Sequence, residues 1–294
     1  MSDLLAPRRF ERSTASFGGN VRGNNWFILI SLASSLLVNC TPNTPVKNAI
    51  NITDSAIIGG QEVQGNDTIG QSIVAVYDAF IGQLCTGTLL KDNIVLTAAH
   101  CVGIFTEDMY IFFETEITDY SKPYQVDKIE ISPIWSTRKH DKTDKGDLAL
   151  LRFIGRAPSH KRPAQLLTYT KFNNLSENAE VVVAGYGLSD GVEQSGAGTL
   201  RSVKVNIANK NFSVSEVTLD QRNNRGTCHG DSGGPAFLLL GEKYYLWGVT
   251  SRGIEDLEND CSQFAATTHI YSHKTWISRM IQKLSTSILD PLTL

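Results

Sequence analysis

Late in the chain eight residues read Cys228-His229-Gly230-Asp231-Ser232-Gly233-Gly234-Pro235. A serine set among glycines can sit on a sharp turn, with its hydroxyl in the open and backbone N–H groups aimed at the same point. Two other strings precede it, Thr97-Ala98-Ala99-His100-Cys101 and Gly146-Asp147-Leu148-Ala149-Leu150-Leu151. A serine hydroxyl is a weak nucleophile at neutral pH until a base takes its proton. Histidine, with an ordinary pKa of about 6.5, can do so. A carboxylate behind the imidazole fixes its tautomer and steadies the imidazolium. A base, an orienting carboxylate and a nucleophile therefore occur in the order His, Asp, Ser, each in its own local context.

These three strings, with Ile57-Ile58-Gly59-Gly60 upstream, resemble the trypsin/chymotrypsin family of serine proteases over roughly Ile57 to Ile281. The resemblance implies an all-β fold class, two six-stranded antiparallel β-barrels with a C-terminal helix, joined near Gly155–Leu175. It implies a serine endopeptidase in which Ser232 attacks, His100 is base and then acid, and Asp147 orients His100. The N–H groups of Gly230 and Ser232 would form the oxyanion hole, and a side chain at Gly230 would obstruct the substrate carbonyl. It pairs Cys85 with Cys101 and Cys228 with Cys261 as disulfides, which an oxidising compartment permits. It also makes Ile57 a mature N-terminus, produced by cleavage after Ala56, whose ammonium pairs with Asp231. The uncleaved chain would then be a weakly active zymogen. The partners implied are protein or peptide substrates, and no cofactor or metal enters.

Specificity is read from the same alignment. The family's pocket-base residue stands six positions before the nucleophile, which here is Gly226 rather than Asp. An Arg or Lys side chain on the acyl side of the cleaved bond (P1) is therefore disfavoured. Thr227, Gly253 and Ala265 would line the rest of the pocket, and their small walls suit an uncharged P1. Ser251-Arg252-Gly253 matches the strand that pairs with substrate backbone. Arg252 stands where the family usually has Trp, and would either attract an acidic substrate residue or lie in solvent.

The remaining chain gives the setting. With 27 basic and 30 acidic residues the net charge is −3 and no Lys/Arg run occurs, which excludes the electrostatic footprint of a nucleic-acid binder. Arg8, Arg9, Arg12 and Arg22 precede an apolar run from Trp26 to Val38, too short to span a bilayer and suited to a secretory signal core. Leu37-Val38-Asn39-Cys40 resembles a bacterial lipoprotein signal, although Asn39 departs from the small residue usual there. Residues 1–40 are thus expected to be a signal segment, of lipoprotein or ordinary secretory type, with a lipid on Cys40 the only route to a membrane. Residues 41–56, polar with Pro42 and Pro45, read as linker or propeptide, and residues 57–294 as the protease domain. The protein is expected to be exported, either secreted or periplasmic, and monomeric.

Short apolar runs, rich in β-branched residues, predict strands over Ser72–Tyr77, Asn93–Thr97, Tyr124–Ile131, Leu148–Phe153, Glu180–Ala184 and Tyr244–Thr250. From His273 onward, Trp276, Ile277, Met280, Ile281 and Leu284 recur at helical spacing, as in a helix packed on the second barrel. Two rival readings remain open here. Gly230-Asp231-Ser232-Gly233-Gly234 also fits the nucleophile elbow of α/β-hydrolases, but no βαβ alternation precedes it and too little chain follows. A catalytically silent homologue acting as a binding protein is the other.

Overall fold

The computed structural model describes residues 57–255, 258 and 260–286. The proposed signal segment, Cys40, the linker and Ala56 lie outside the described residues.

Two barrels account for most of the described chain. The first half contributes β1 (Gln61–Glu62), β2 (Ile73–Asp78), β3 (Gln83–Lys91), β4 (Ile94–Thr97), β5 (Met109–Phe112), β6 (Tyr124–Ile131) and β7 (Ala149–Phe153). Strands β2-β3-β4-β7-β6-β5 close on themselves, because β5 pairs back onto β2 with Ala75 opposite Phe112. The second half contributes β8 (Gln165–Leu166), β9 (Glu180–Gly185), β10 (Arg201–Asn209), β11 (Glu216–Asp220), β12 (Pro235–Leu240), β13 (Lys243–Ile254) and β14 (Phe264–His269). Its ring runs β9-β10-β11-β14-β13-β12 and closes through β12 on β9. Closure leaves neither barrel with a free edge to aggregate. The chain passes between barrels through β8 and the short helix α2 (Tyr169–Asn173), within the expected join.

The six expected strands all form, with ends moved by a few residues. Apart from β6, whose outer face is polar and partly exposed, they are apolar on both faces, and the reason is visible in how they divide their side chains. In β2, Val74 and Val76 enter the first barrel's interior, while Ile73 and Ala75 face a second cluster shared with Ala184, Tyr186 and Phe237 of the other barrel. Strands β4 and β9 divide likewise: Val95 faces inward while Ile94 and Leu96 face the shared cluster, and Val181 and Val183 enter the second barrel while Val182 and Ala184 face its neighbour. A strand buried on both faces loses its polar alternation and reads as a continuous run. Strand β10, outside the expected set, does alternate, with Val203, Val205 and Ile207 inward and Lys204 and Asn206 exposed.

The predicted helix forms as α3 (Lys274–Thr286) behind a 3-10 turn over Ile270–His273. Its stripe does not sit on the second barrel alone. Ile277 and Leu284 enter the cluster shared by both barrels, and Arg152 of β7 donates to the Leu284 carbonyl at 3.1 Å. The helix thus clamps back onto the first barrel, where Lys283 also pairs with Glu130 at 2.6 Å. The second barrel's own core is centred on Trp247, fully buried and 5.8 Å from the Phe172 ring. Removing a buried indole costs about 3–5 kcal/mol. Trp247→Ala is expected to lower the denaturant midpoint by the equivalent amount in equilibrium unfolding, whereas Trp135→Ala, on the half-buried face of a short surface helix, should shift it far less.

Candidate active site

His100 leaves the barrel immediately after β4, in a 3-10 turn over Ala99–Cys101 that is tied to β3 by the Cys85–Cys101 disulfide, with 6.0 Å between the Cα atoms. Asp147 enters just before β7. The antiparallel pairing of β4 with β7 sets Thr97 opposite Ala149, so the residues following one strand and preceding the other meet at the same barrel end. His100 Nδ1 lies 2.7 Å from Asp147 Oδ2, and the His100 backbone N–H donates to Asp147 Oδ1 at 3.0 Å. Ser251 Oγ donates to Asp147 Oδ2 at 2.6 Å.

Asp147 is 1% exposed. Burial alone would raise its pKa; the hydrogen bonds from His100 and Ser251 and the adjoining imidazole outweigh that and hold it below the usual carboxylate range. An ionised Asp147 accepting from Nδ1 leaves Nε2 as the atom able to receive a proton. The tilted Trp135 ring, 6.5 Å from the imidazole, flanks His100 from α1 (Pro133–Arg138).

Ser232 comes from the second barrel, in the turn that leads into β12. Ser232 and His100 line one cavity of about 350 Å³, together with Gln221, Thr227, His229 and the Thr250–Gly253 stretch of β13. Among the described residues no hydrogen bond joins Ser232 Oγ to His100; such contacts often tighten only when substrate is present. The backbone N–H groups of Gly230 and Ser232 make no hydrogen bond among the described residues, while the intervening Asp231 N–H is bonded to the Cys228 carbonyl at 3.0 Å. Two donors are thus unspent beside the serine.

The protein's own structure also requires glycine at 230. Its φ is +98°, and a Cβ there would lie 2.7 Å from the Gly187 Cα. A side chain there would meet the protein's own backbone. Gly233, at φ +81°, is similarly hemmed in by Thr97 and Thr86.

Asp231 is fully buried beneath this turn, its two oxygens accepting from Gly187 N and Cys228 N, both at 2.8 Å. No basic side chain pairs with it among the described residues. Burial pushes its pKa up to about 7, against the lowering effect of those two N–H groups and the Arg201 charge. Ile57 is also fully buried, and the Ile58 carbonyl accepts from Gly226 N at 3.0 Å, so the start of the proposed domain is sewn to the segment leading to the serine.

Other expected residues are placed less simply. Cys228 and Cys261 form the second disulfide and wall the cavity with Thr227 and Gly253. Gly226 and Ala265 are not part of that wall; Ala265 pairs with Gly253 across the sheet and is buried. Ser251 spends its hydroxyl on Asp147. Arg252 neither lies free in solvent nor awaits an acidic substrate group. Its guanidinium forms a bidentate pair with the buried Glu216 at 2.8 and 2.9 Å and donates to the Lys142 carbonyl at 2.7 Å. Sequence reasoning missed Trp135, Glu216 and Gln221, whose roles arise from tertiary contacts with no local motif.

Comparison with known proteins follows the same residues. The family described as Trypsin matches residues 57–277. Dog chymotrypsin-like elastase family member 1 is 26% identical over 244 residues, covering 78% of this chain and 93% of the relative. Dog chymase is 28% identical, covering 68% of this chain and 79% of its own. Chymotrypsin of Phaedon cochleariae is 26% identical, covering 75% and 80%.

The buried Asp231 gives a signed pH dependence in the chain with its Ala56–Ile57 bond intact. Unfolded, the carboxyl titrates at about 3.9; folded, at about 7. Between those values the folded state keeps a proton that the unfolded chain has lost, so stability falls as pH rises through the window and levels off above it. Unfolding free energies of wild type and Asp231→Asn, measured from pH 4 to 8, should diverge by on the order of 4 kcal/mol. A difference independent of pH would contradict this account.

Proposed function

The chain belongs to the trypsin family of serine proteases, and from that premise we propose that it is a serine endopeptidase working through His100, Asp147 and Ser232. The observation that carries the reading is the 2.7 Å contact between His100 Nδ1 and Asp147 Oδ2 at the edge of the cavity that Ser232 also lines. His100 Nε2 takes the Ser232 proton as Oγ attacks the peptide carbonyl. The oxyanion is received by the N–H groups of Gly230 and Ser232. The protonated His100 then gives its proton to the leaving amine, and water repeats the sequence to release the acyl group.

Activation follows from the buried Asp231. Cleavage before Ile57 creates an ammonium at a residue already buried and sewn to Gly226. Pairing it with Asp231 offsets the burial that raises the Asp231 pKa and holds the Gly230 turn. The substrate is a protein or peptide with an uncharged P1. Residues 1–40 and 41–56 act as export signal and propeptide for the domain beginning at Ile57, and the two disulfides support export to an oxidising compartment.

Two experiments test this reading. A fluorophosphonate should label a chain beginning at Ile57 and fail on its Ser232→Ala variant; a folded, disulfide-bonded protein that is never labelled would favour a silent binding protein. The free α-amine has an ordinary pKa of about 7.7–8.0, which pairing raises. Its contribution is present below the ordinary value and lost as pH rises through the raised one. Activity should therefore decline on the alkaline side, and Asp231→Asn should lose both activity and that decline.

A further inference from the structure

The position six residues before Ser232 is Gly226, which has no side chain, yet the space over its α-carbon is filled. A Cβ on Gly226 would collide with Cγ, Cδ and Oε1 of Gln221. Gln221 follows β11 and is 2% exposed, with its own N–H held by the Gln263 carbonyl at 3.0 Å. Its amide is completely engaged. Nε2 donates to the carbonyls of Cys261 at 2.9 Å and Thr227 at 3.1 Å. Oε1 accepts from Thr227 N at 2.7 Å and Thr227 Oγ1 at 2.9 Å. Two donors and two acceptor sites are the whole capacity of a primary amide.

We propose that Gln221 is the specificity-determining floor of the acyl-side pocket, filling the place of a side chain at 226, shortening the pocket and keeping it neutral. This rests on the protease reading above. The fixed amide has nothing left to offer a substrate group. None of the described residues lining the cavity is acidic, so among them a Lys or Arg P1 would find no partner for its desolvated charge, which is strongly unfavourable. A long apolar P1 would need Gln221 to leave four hydrogen bonds. The occupant that fits is a short, uncharged side chain held between the Cys228–Cys261 disulfide and the Thr250–Gly253 strand.

The test compares wild type, Gln221→Ala, Gly226→Asp and the double variant, all beginning at Ile57. Each is titrated with fluorophosphonate and then assayed by kcat/KM on peptides that differ only at P1, which is Ala, Leu, Phe or Lys. Gln221→Ala should raise the Phe-to-Ala ratio by roughly 10-fold or more. Gly226→Asp alone should gain nothing on Lys, because Gln221 occupies the space. The double variant should raise the Lys-to-Ala ratio by roughly 100-fold. Gln221→Asn, which keeps an amide but withdraws it by one methylene, covers the case in which Ala unfolds the pocket and should shift preference toward Leu. Labelled variants with an unaltered P1 profile would overturn this inference and leave the protease reading standing, as would Gly226→Asp alone matching the double variant. A wild type that takes no label overturns the protease reading, and this one with it.

Discussion

One threonine holds the two halves of the candidate site in register. Thr86, fully buried on β3 of the first barrel, donates its N–H to the Ser232 carbonyl and its Oγ1 to the Gly230 carbonyl, both at 2.8 Å. The same Oγ1 accepts from Tyr186 N at 3.0 Å, and the Thr86 carbonyl accepts from Thr97 at 2.8 Å. Its neighbour Cys85 is joined to Cys101, beside His100. The turn that carries the serine is thereby pinned, through one residue and one disulfide, to the turn that carries the histidine. The close approach this requires is what excludes a side chain at Gly233, whereas at Gly230 it is the second barrel's own Gly187 that leaves no room.

Three carboxylates are buried around that seam, and each is settled differently. Glu216 is neutralised by the guanidinium of Arg252. Asp147 is kept ionised by hydrogen bonds from His100 and Ser251. Asp231 has only two backbone N–H groups, and its pKa rises to about 7. An isolated buried charge is expensive, and groups in that position shift their protonation instead. The least satisfied of the three is thus the one whose state a single new cation would change most.

Local strings made part of this legible. His100, Asp147 and Ser232 sit in short contexts shaped by the turn each must make, so sequence alone pointed to them; His100 and Ser232 line one cavity, and Asp147 is hydrogen-bonded behind His100. The inner strands were legible because burial on both faces leaves long apolar runs. Strand β3, which reads Gln-Leu-Cys-Thr-Gly-Thr-Leu-Leu-Lys, was not, since its buried Thr86 and Thr88 look like surface residues until their partners are known. Arg252 was misread for the same reason: its fate depends on Glu216, far away in sequence. Gln221 leaves no trace at all, because the absence of a side chain at Gly226 says nothing of what fills the space.

The division of labour between barrels also has a consequence for how such a chain is made. Vectorial synthesis completes the first barrel, with its histidine and aspartate, while the serine and its flanking donors are still to be polymerised. On the proposed triad neither half-molecule holds all three residues, so a nascent or truncated chain would be inert toward the machinery that makes and moves it. With those residues, reactivity would arise only on docking of the second barrel, at the Thr86 seam, and correct tertiary assembly would be the precondition for any cleavage at all.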